Sequence, residues 1–122
     1  MRPDKDDEEP QIYLVRMTEP AEAEIDKAHF ALISSVSPDF AFRWREGILA
    51  AINNLSLFPE LHQVVEPESL HWGRPVRRLL YRQGRLYYHV LFTLIDADED
   101  GMNDTVRVLH VRNASTSLAE DM

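Results

Sequence analysis

The spacing of apolar residues changes near Val76, and this change constrains the fold more than any other feature of the sequence. Before it, apolar residues recur every three or four positions, as on one face of a helix. After it, they alternate with polar residues, as in a strand with one buried face. Two helices followed by strands are therefore predicted, in an α+β domain whose helices cover one face of an antiparallel sheet.

Two helix starts are recognisable before this change. Thr18 is a predicted N-cap with Pro20 in the first turn, and Ser37 is a second N-cap with Pro38 at the first helical position. Because only Ser34–Ser37 separates the two helices, they are expected to pack as an antiparallel hairpin. The predicted inner stripes are Ala21, Ile25, Ala28, Leu32 and Val36 on the first helix, and Ala41, Trp44, Ile48, Ala51, Ile52, Leu55 and Phe58 on the second, which ends at Pro59.

The strands are predicted from β-branched and aromatic content and from alternation. A short N-terminal strand is expected in Gln11–Met17, and residues 60–75 are expected to be irregular because they contain proline and glycine breakers. A three-stranded antiparallel meander is predicted in Val76–Tyr81, Leu86–Ile95 and Val106–Arg112, with a hairpin turn at Arg82–Arg85. The expected core comprises Ile25, Leu32, Trp44, Ile48, Ile52, Leu55, Leu79, Val90, Phe92 and Leu109.

Length and composition favour one cytoplasmic domain without disulfides. The chain has 122 residues and no cysteine, and its apolar runs are too short to cross a bilayer. No signal peptide is recognisable in the first ten residues. We expect a disordered acidic tail at residues 1–10, a single domain at residues 11–116 and a C-terminal tail at residues 117–122.

The net charge of −8 is concentrated in two segments. Residues 1–10 carry a net charge of −3, and residues 96–104 carry −5. The rest of the chain is nearly neutral, and its positive charge lies late in the sequence. Seven of the 13 basic residues are Arg74, Arg77, Arg78, Arg82, Arg85, Arg107 and Arg112. Such clustering is consistent with a positive binding surface, and equally with arginines on exposed strands.

The acidic segment resembles the first half of a calcium-binding loop. Asp96, Asp98 and Asp100 alternate before Gly101, and Asp104 occupies the ninth position. The twelfth position is Arg107, where an EF-hand has a bidentate glutamate. A solvated turn is therefore the favoured interpretation, with weak calcium binding as the alternative. No other metal site and no cofactor are predicted.

Six short segments, in order and spacing, are similar to the RelE/ParE superfamily of small toxins, the plasmid-stabilisation proteins. The resemblance covers roughly Ile12 to Ser115. The matching pieces are Thr18-Glu19-x-Ala21-Glu22, Ser37-Pro38-x-x-Ala41, Ile52-x-x-Leu55-x-x-Phe58-Pro59, Val76-Arg77-Arg78-Leu79-Leu80-Tyr81, Tyr88-x-Val90-Leu91-Phe92 and Val108-Leu109-x-Val111-Arg112.

The resemblance implies one of two activities. RelE-like members cleave mRNA in the ribosome with basic and aromatic residues of the sheet, whereas ParE-like members are associated with poisoning DNA gyrase. Where RelE-like members have Tyr-Arg, this chain has Tyr88-His89. Where many members have Arg-His-x-x-Arg, it has Arg112-Asn113-Ala114-Ser115-Thr116. Asn113 does not exchange a proton near neutral pH, so the ParE-like interpretation is favoured.

The chain is therefore expected to be the toxin of a type II toxin–antitoxin pair that acts by binding. Its implied partners are an antitoxin and DNA gyrase or the ribosome, with no membrane, in a homodimer or a heterotetramer with the antitoxin. The alternatives are a metal-independent endoribonuclease and a non-toxic member that only binds a partner. The residues implied for an RNase are Arg77, Arg78, His89 and Arg112, and His110 is predicted to share a strand face with Arg112.

Overall fold

The computed structural model of the protein describes residues 10–114. The predicted tails therefore lie outside the described residues, except for Pro10. The elements follow in the order β1 (Leu14–Met17), α1 (Glu19–Ser35), α2 (Pro38–Asn53), β2 (Gln63–Val64), α3 (Glu66–Trp72), β3 (Val76–Gln83), β4 (Leu86–Ile95) and β5 (Thr105–Asn113). Two 3-10 turns, Asn54–Ser56 and Pro59–Leu61, connect α2 to β2.

The helical hairpin is confirmed, and both predicted N-caps form. The Thr18 hydroxyl accepts a hydrogen bond from the N–H of Ala21 (3.3 Å), and the Ser37 hydroxyl accepts one from Phe40 (3.0 Å). Each cap satisfies a backbone donor that the first turn of the helix leaves unpaired. The start of each helix is thus determined by residues adjacent in sequence.

The sheet has five strands in the order β1-β5-β4-β3-β2. The predicted antiparallel meander is confirmed for β3, β4 and β5. However, β1 pairs in parallel with β5, with Leu14 opposite Thr105, so the sheet is mixed and not wholly antiparallel. The alternation of a short strand indicates its buried face, but it specifies neither the partner strand nor the direction of pairing, because either direction can bury the same face.

The two faces of the sheet are covered unequally. The helical hairpin packs on the inner face, where Trp44, Ile48, Val90 and Phe92 are buried together. On the outer face, a smaller cluster of Val76, Leu91 and Leu109 packs against Val65, which precedes α3. Of the expected core residues, only Leu79 is half-buried instead of buried. The outer face is exposed at Leu80, Arg82, Arg107 and Arg112, outside this small cluster.

The predicted end of the second helix is wrong. α2 stops at Asn53, and Leu55 is buried from the following 3-10 turn. Phe58, expected on the inner face, has a left-handed backbone (φ 53°) and is 49% exposed. Pro59 disfavours the right-handed helical conformation at Phe58, so the helix does not continue through this position. On the first helix, Val36 is likewise exposed.

The segment predicted to be irregular contains β2 and α3. The Ser69 hydroxyl connects α3 to β3, since it donates to the carbonyl of Val65 (2.7 Å) and accepts from the N–H of Val76 (2.9 Å). Gly73 ends the helix in a left-handed conformation (φ 72°). A helix of seven residues is too short to be stable alone, so these tertiary contacts stabilise it.

Candidate functional site

Three of the four predicted catalytic residues share the outer face of the sheet. Across β3, β4 and β5, Leu80, His89 and Arg112 lie opposite one another, and Arg78 faces Leu91 in the next row. Side chains directly opposite on neighbouring strands are about 5 Å apart at Cβ. Arg78, His89 and Arg112 therefore form one group.

Arg77 does not join this group. It faces the opposite side of the sheet, and its Nη1 donates to the carbonyl oxygens of Glu60 (2.9 Å) and His62 (2.8 Å). Arg77 and Arg78 are neighbours in sequence, but successive strand residues point to opposite faces. Arg77 thus anchors the loop before β2, and the structure gives it no place beside His89.

His89 is half-buried in this group. Burial lowers the pKa of its imidazole below 6.5, the adjacent Arg78 guanidinium lowers it further, and Glu68 of α3 opposes both effects. A largely neutral imidazole at pH 7 can accept a proton or a hydrogen bond. His89 is thus the outer-face residue best suited to act as a base.

His110 shares the face with Arg112, as the alternation predicts, but it is already engaged. The carboxylate of Glu24 lies 3.2 Å from its Nδ1 and also accepts a hydrogen bond from the N–H of Val111 (2.8 Å). This contact is available because β1 pairs with β5 only as far as Val108. Glu24 of α1 thus covers the edge of β5 beyond the end of β1.

An open cleft of about 270 Å³ lies between α3 and the end of β5. It is lined by Pro67, Glu68, His71, Trp72, His110 and Arg112. The α3 residues of this cleft were not among the predicted site residues, because residues 60–75 were expected to be irregular. The available signals were Pro67 in the first turn of α3 and Gly73 at its end, which are typical of a short helix.

Asn113 has a structural role. It lies opposite Tyr88 on the inner face and hydrogen-bonds the Tyr88 side chain. The Tyr88 ring packs on Trp44, with ring centroids 5.0 Å apart, and burial raises the pKa of Tyr88. Asn113, the last residue of β5, therefore holds the side chain of Tyr88 in the core. The preceding residue, Arg112, lies on the outer face.

The outer-face arginines have no acidic partners within the described part of the chain. No described carboxylate lies within 4.0 Å of Arg78, Arg82, Arg107 or Arg112. Arg78 instead donates to the Gln63 side chain (2.7 Å), and the Arg82 guanidinium lies over the ring of Tyr87 at 5.8 Å. The positive charge of this face is thus not neutralised by ion pairs among residues 10–114.

The acidic loop between β4 and β5 brings its four aspartates together, with one carboxylate oxygen of each within 4.8 Å of the others. Three of the four carboxylates already accept loop hydrogen bonds: Asp96 from Gly101 (2.7 Å), Asp100 from Met102 (3.0 Å) and Asp104 from Ala97 (3.1 Å). A hydrogen bond to Asp104 raises the pKa of Asp98 to about 6. Hydrogen bonds from Thr105 and Ala97 lower the pKa of Asp104. The loop is therefore built as an Asp-rich turn.

Within residues 10–114, no helix has both the length and the apolar character needed to cross a membrane. No protein-family model matches the chain, and no curated protein matches it. Among solved structures, the fold is similar to a chain of the chromosomal ParDE toxin–antitoxin system from P. aeruginosa. The TM-score is 0.63 at 13% sequence identity, over 84% of this chain and 96% of that one, so the likeness establishes the α+β fold.

Proposed function

We propose that the protein is the toxin component of a type II toxin–antitoxin pair and that it inhibits its target by binding, as ParE-like toxins do. The observation that carries the proposal is the fold likeness to a chain of a ParDE system, which extends over 96% of that chain. The residue pattern from Thr18 to Arg112 supports the same superfamily. The target we propose is DNA gyrase, in the cytoplasm.

The geometry favours binding over RNA cleavage. Cleavage without a metal requires a base for the 2′-hydroxyl, an acid for the leaving oxygen and cations for the phosphate. Arg78 and Arg112 supply cations, and His89 supplies a base. The acid is harder to assign, because Asn113 bonds to Tyr88 and His110 contacts Glu24.

RNA cleavage remains the second candidate because of one specific observation. His71 and His110 line the same cleft as Arg112, so a second imidazole lies near the outer-face arginines. With His89 as base, His71 is the remaining candidate acid. The residues to test for this activity are Arg78, His71, His89 and Arg112.

The antitoxin is expected to bind the helical hairpin. Phe30, Val36 and Phe42 are exposed near the turn between α1 and α2, at 71%, 53% and 60%. Apolar anchors of an antitoxin segment would bury these side chains. A small gene for a DNA-binding protein adjacent to this one would encode the expected partner, and the assembly would be a heterotetramer.

Induced expression in a bacterial host separates the candidates. Inhibition of gyrase predicts filamentation and DNA-damage signalling with intact transcripts, and purified protein should inhibit supercoiling by gyrase. Cleavage of translated mRNA, abolished by His89→Ala or Arg112→Ala but not by Arg43→Ala on α2, would instead establish the RNase. Normal growth with intact transcripts and DNA would leave a non-toxic partner-binding protein.

A further inference from the structure

We propose that the outer face of the sheet binds an acidic peptide carrying an apolar side chain. The surface, called the outer arginine face, comprises Trp72, Arg78, Leu80, Arg82, His89 and Arg112. This inference does not depend on the proposed function, since it follows from the chemistry of the face itself.

Charge is the first reason. Arg78, Arg82 and Arg112 share this face, and no described carboxylate pairs with them within 4.0 Å. The chain as a whole carries a net charge of −8, yet its acidic loop lies at the other end of β4, beyond Ile95. A guanidinium forms two parallel hydrogen bonds with a carboxylate, so this face is complementary to acidic side chains.

Exposed apolar side chains are the second reason. Leu80 is 51% exposed and sits directly beside His89, and Trp72 is 43% exposed at the cleft. The cleft of about 270 Å³ is smaller than the pocket of a drug-sized ligand, and its apolar lining residues, Pro67 and Trp72, can contact a single aliphatic or aromatic side chain. Since Arg112 also lines it, an apolar anchor in the cleft would place neighbouring acidic residues beside the arginines.

The same features favour a peptide over a nucleic acid. Nucleic-acid surfaces usually present a continuous basic stripe that follows the phosphates. Here Leu80 lies between Arg78 and Arg82 along β3, so the basic residues of this face do not form a continuous stripe. In an extended peptide, every second side chain points to the same side. Such a peptide can therefore present carboxylates to the arginines and an apolar side chain to Leu80 or Trp72.

The test is a titration of the full-length protein with three fluorescent probes. The first is a short peptide of alternating glutamate and leucine, the second has glutamine in place of glutamate, and the third is a single-stranded RNA oligonucleotide. The site variants are Arg78→Gln combined with Arg112→Gln, and separately Trp72→Ala. Arg43→Gln, an exposed arginine of α2, is the matched control. Thermal unfolding shows that each variant is folded.

The acidic peptide should bind more tightly than its glutamine analogue, and added salt should weaken it. The double arginine variant should lose about tenfold in affinity, and Trp72→Ala should lose affinity without changing the salt dependence. Arg43→Gln should bind like the wild type. Equal binding of the two peptides, tighter binding of the RNA, or an unchanged affinity in the folded double variant would each overturn the proposal. So would self-association through this face that excludes the peptide.

Discussion

The carboxylate of Glu24 in α1 accepts a hydrogen bond from the backbone N–H of Val111 in β5, at 2.8 Å. This bond joins the helical hairpin to a sheet edge that β1 is too short to cover. Glu24→Ala leaves a part-buried donor unpaired and should lower the free energy of unfolding by about 1–3 kcal/mol.

Glu24→Gln retains an acceptor oxygen and should cost less than Glu24→Ala. Urea unfolding of both variants provides the comparison. Glu22→Ala, at an exposed position of the same helix, is the control. Equal stabilities of the Ala and Gln variants would show that the hydrogen bond to Val111 contributes little.

The core prediction concerns the inner face of α2. Ile52 is 2% exposed, so Ile52→Ala should destabilise the protein by about 2–5 kcal/mol through lost burial and a residual cavity. Phe42 lies on the same helix but is mostly exposed, and Phe42→Ala should change stability by less than about 1 kcal/mol. Chemical denaturation measures both. A similar loss for the two variants would contradict the assignment of the buried face.

The imidazole of His89 should titrate below 6.5, and replacing Arg78 by Gln should raise its pKa. Because the folded pKa lies below the unfolded one, the unfolded state binds more protons between the two values. The contribution of His89 to the free energy of unfolding is therefore present above pH 6.5. It decreases as the pH falls from 6.5 through the lower pKa of the folded state. NMR titration of the His89 ring signals measures the pKa, and His29, whose surroundings lack Arg78, provides the internal control.

Asp98 should titrate near pH 6, and Asp104→Ala should return its pKa towards 3.8. The folded pKa is raised, so the contribution of Asp98 favours the folded state at low pH and is lost as the pH rises from about 4 through about 6. The pKa of Asp104 is lowered, so its charged carboxylate favours the folded state above pH 3.8. This contribution is lost as the pH falls below 3.8. Carboxyl-carbon NMR shifts resolve both groups. An Asp98 pKa that Asp104→Ala leaves unchanged would contradict the proposed hydrogen bond.

Calcium binding by the acidic loop should be weak, with a Kd no tighter than about 10⁻⁴–10⁻³ M. Asp96 and Asp104 already accept backbone hydrogen bonds, and Arg107 stands where a bidentate glutamate would complete the site. Calorimetric titration with calcium measures the affinity, with Asp98→Asn as the matched variant. Micromolar binding that Asp98→Asn abolishes would make the loop a true calcium site.

The sequence by itself determined the elements whose signals are local. Thr18 and Ser37 mark the helix starts because each cap bonds to a backbone N–H three residues later. The three long strands are recognisable because they are runs rich in β-branched and aromatic residues bounded by turn residues, as in Leu86–Ile95. The sharing of one face by His110 and Arg112 followed from the alternation of side chains along a strand.

Tertiary structure alone decided which residues meet across the chain. β1 pairs in parallel with β5 at the edge of the sheet, although the two strands are distant in sequence and the four residues of β1 show only a short alternation. α3 is stabilised by Ser69, whose hydroxyl bonds to β3, so seven residues form a helix that their own propensity would not sustain. The cleft beside Arg112 exists only because α3 packs there. Local patterns specify faces and boundaries, whereas pairing and sites depend on contacts between residues distant in sequence.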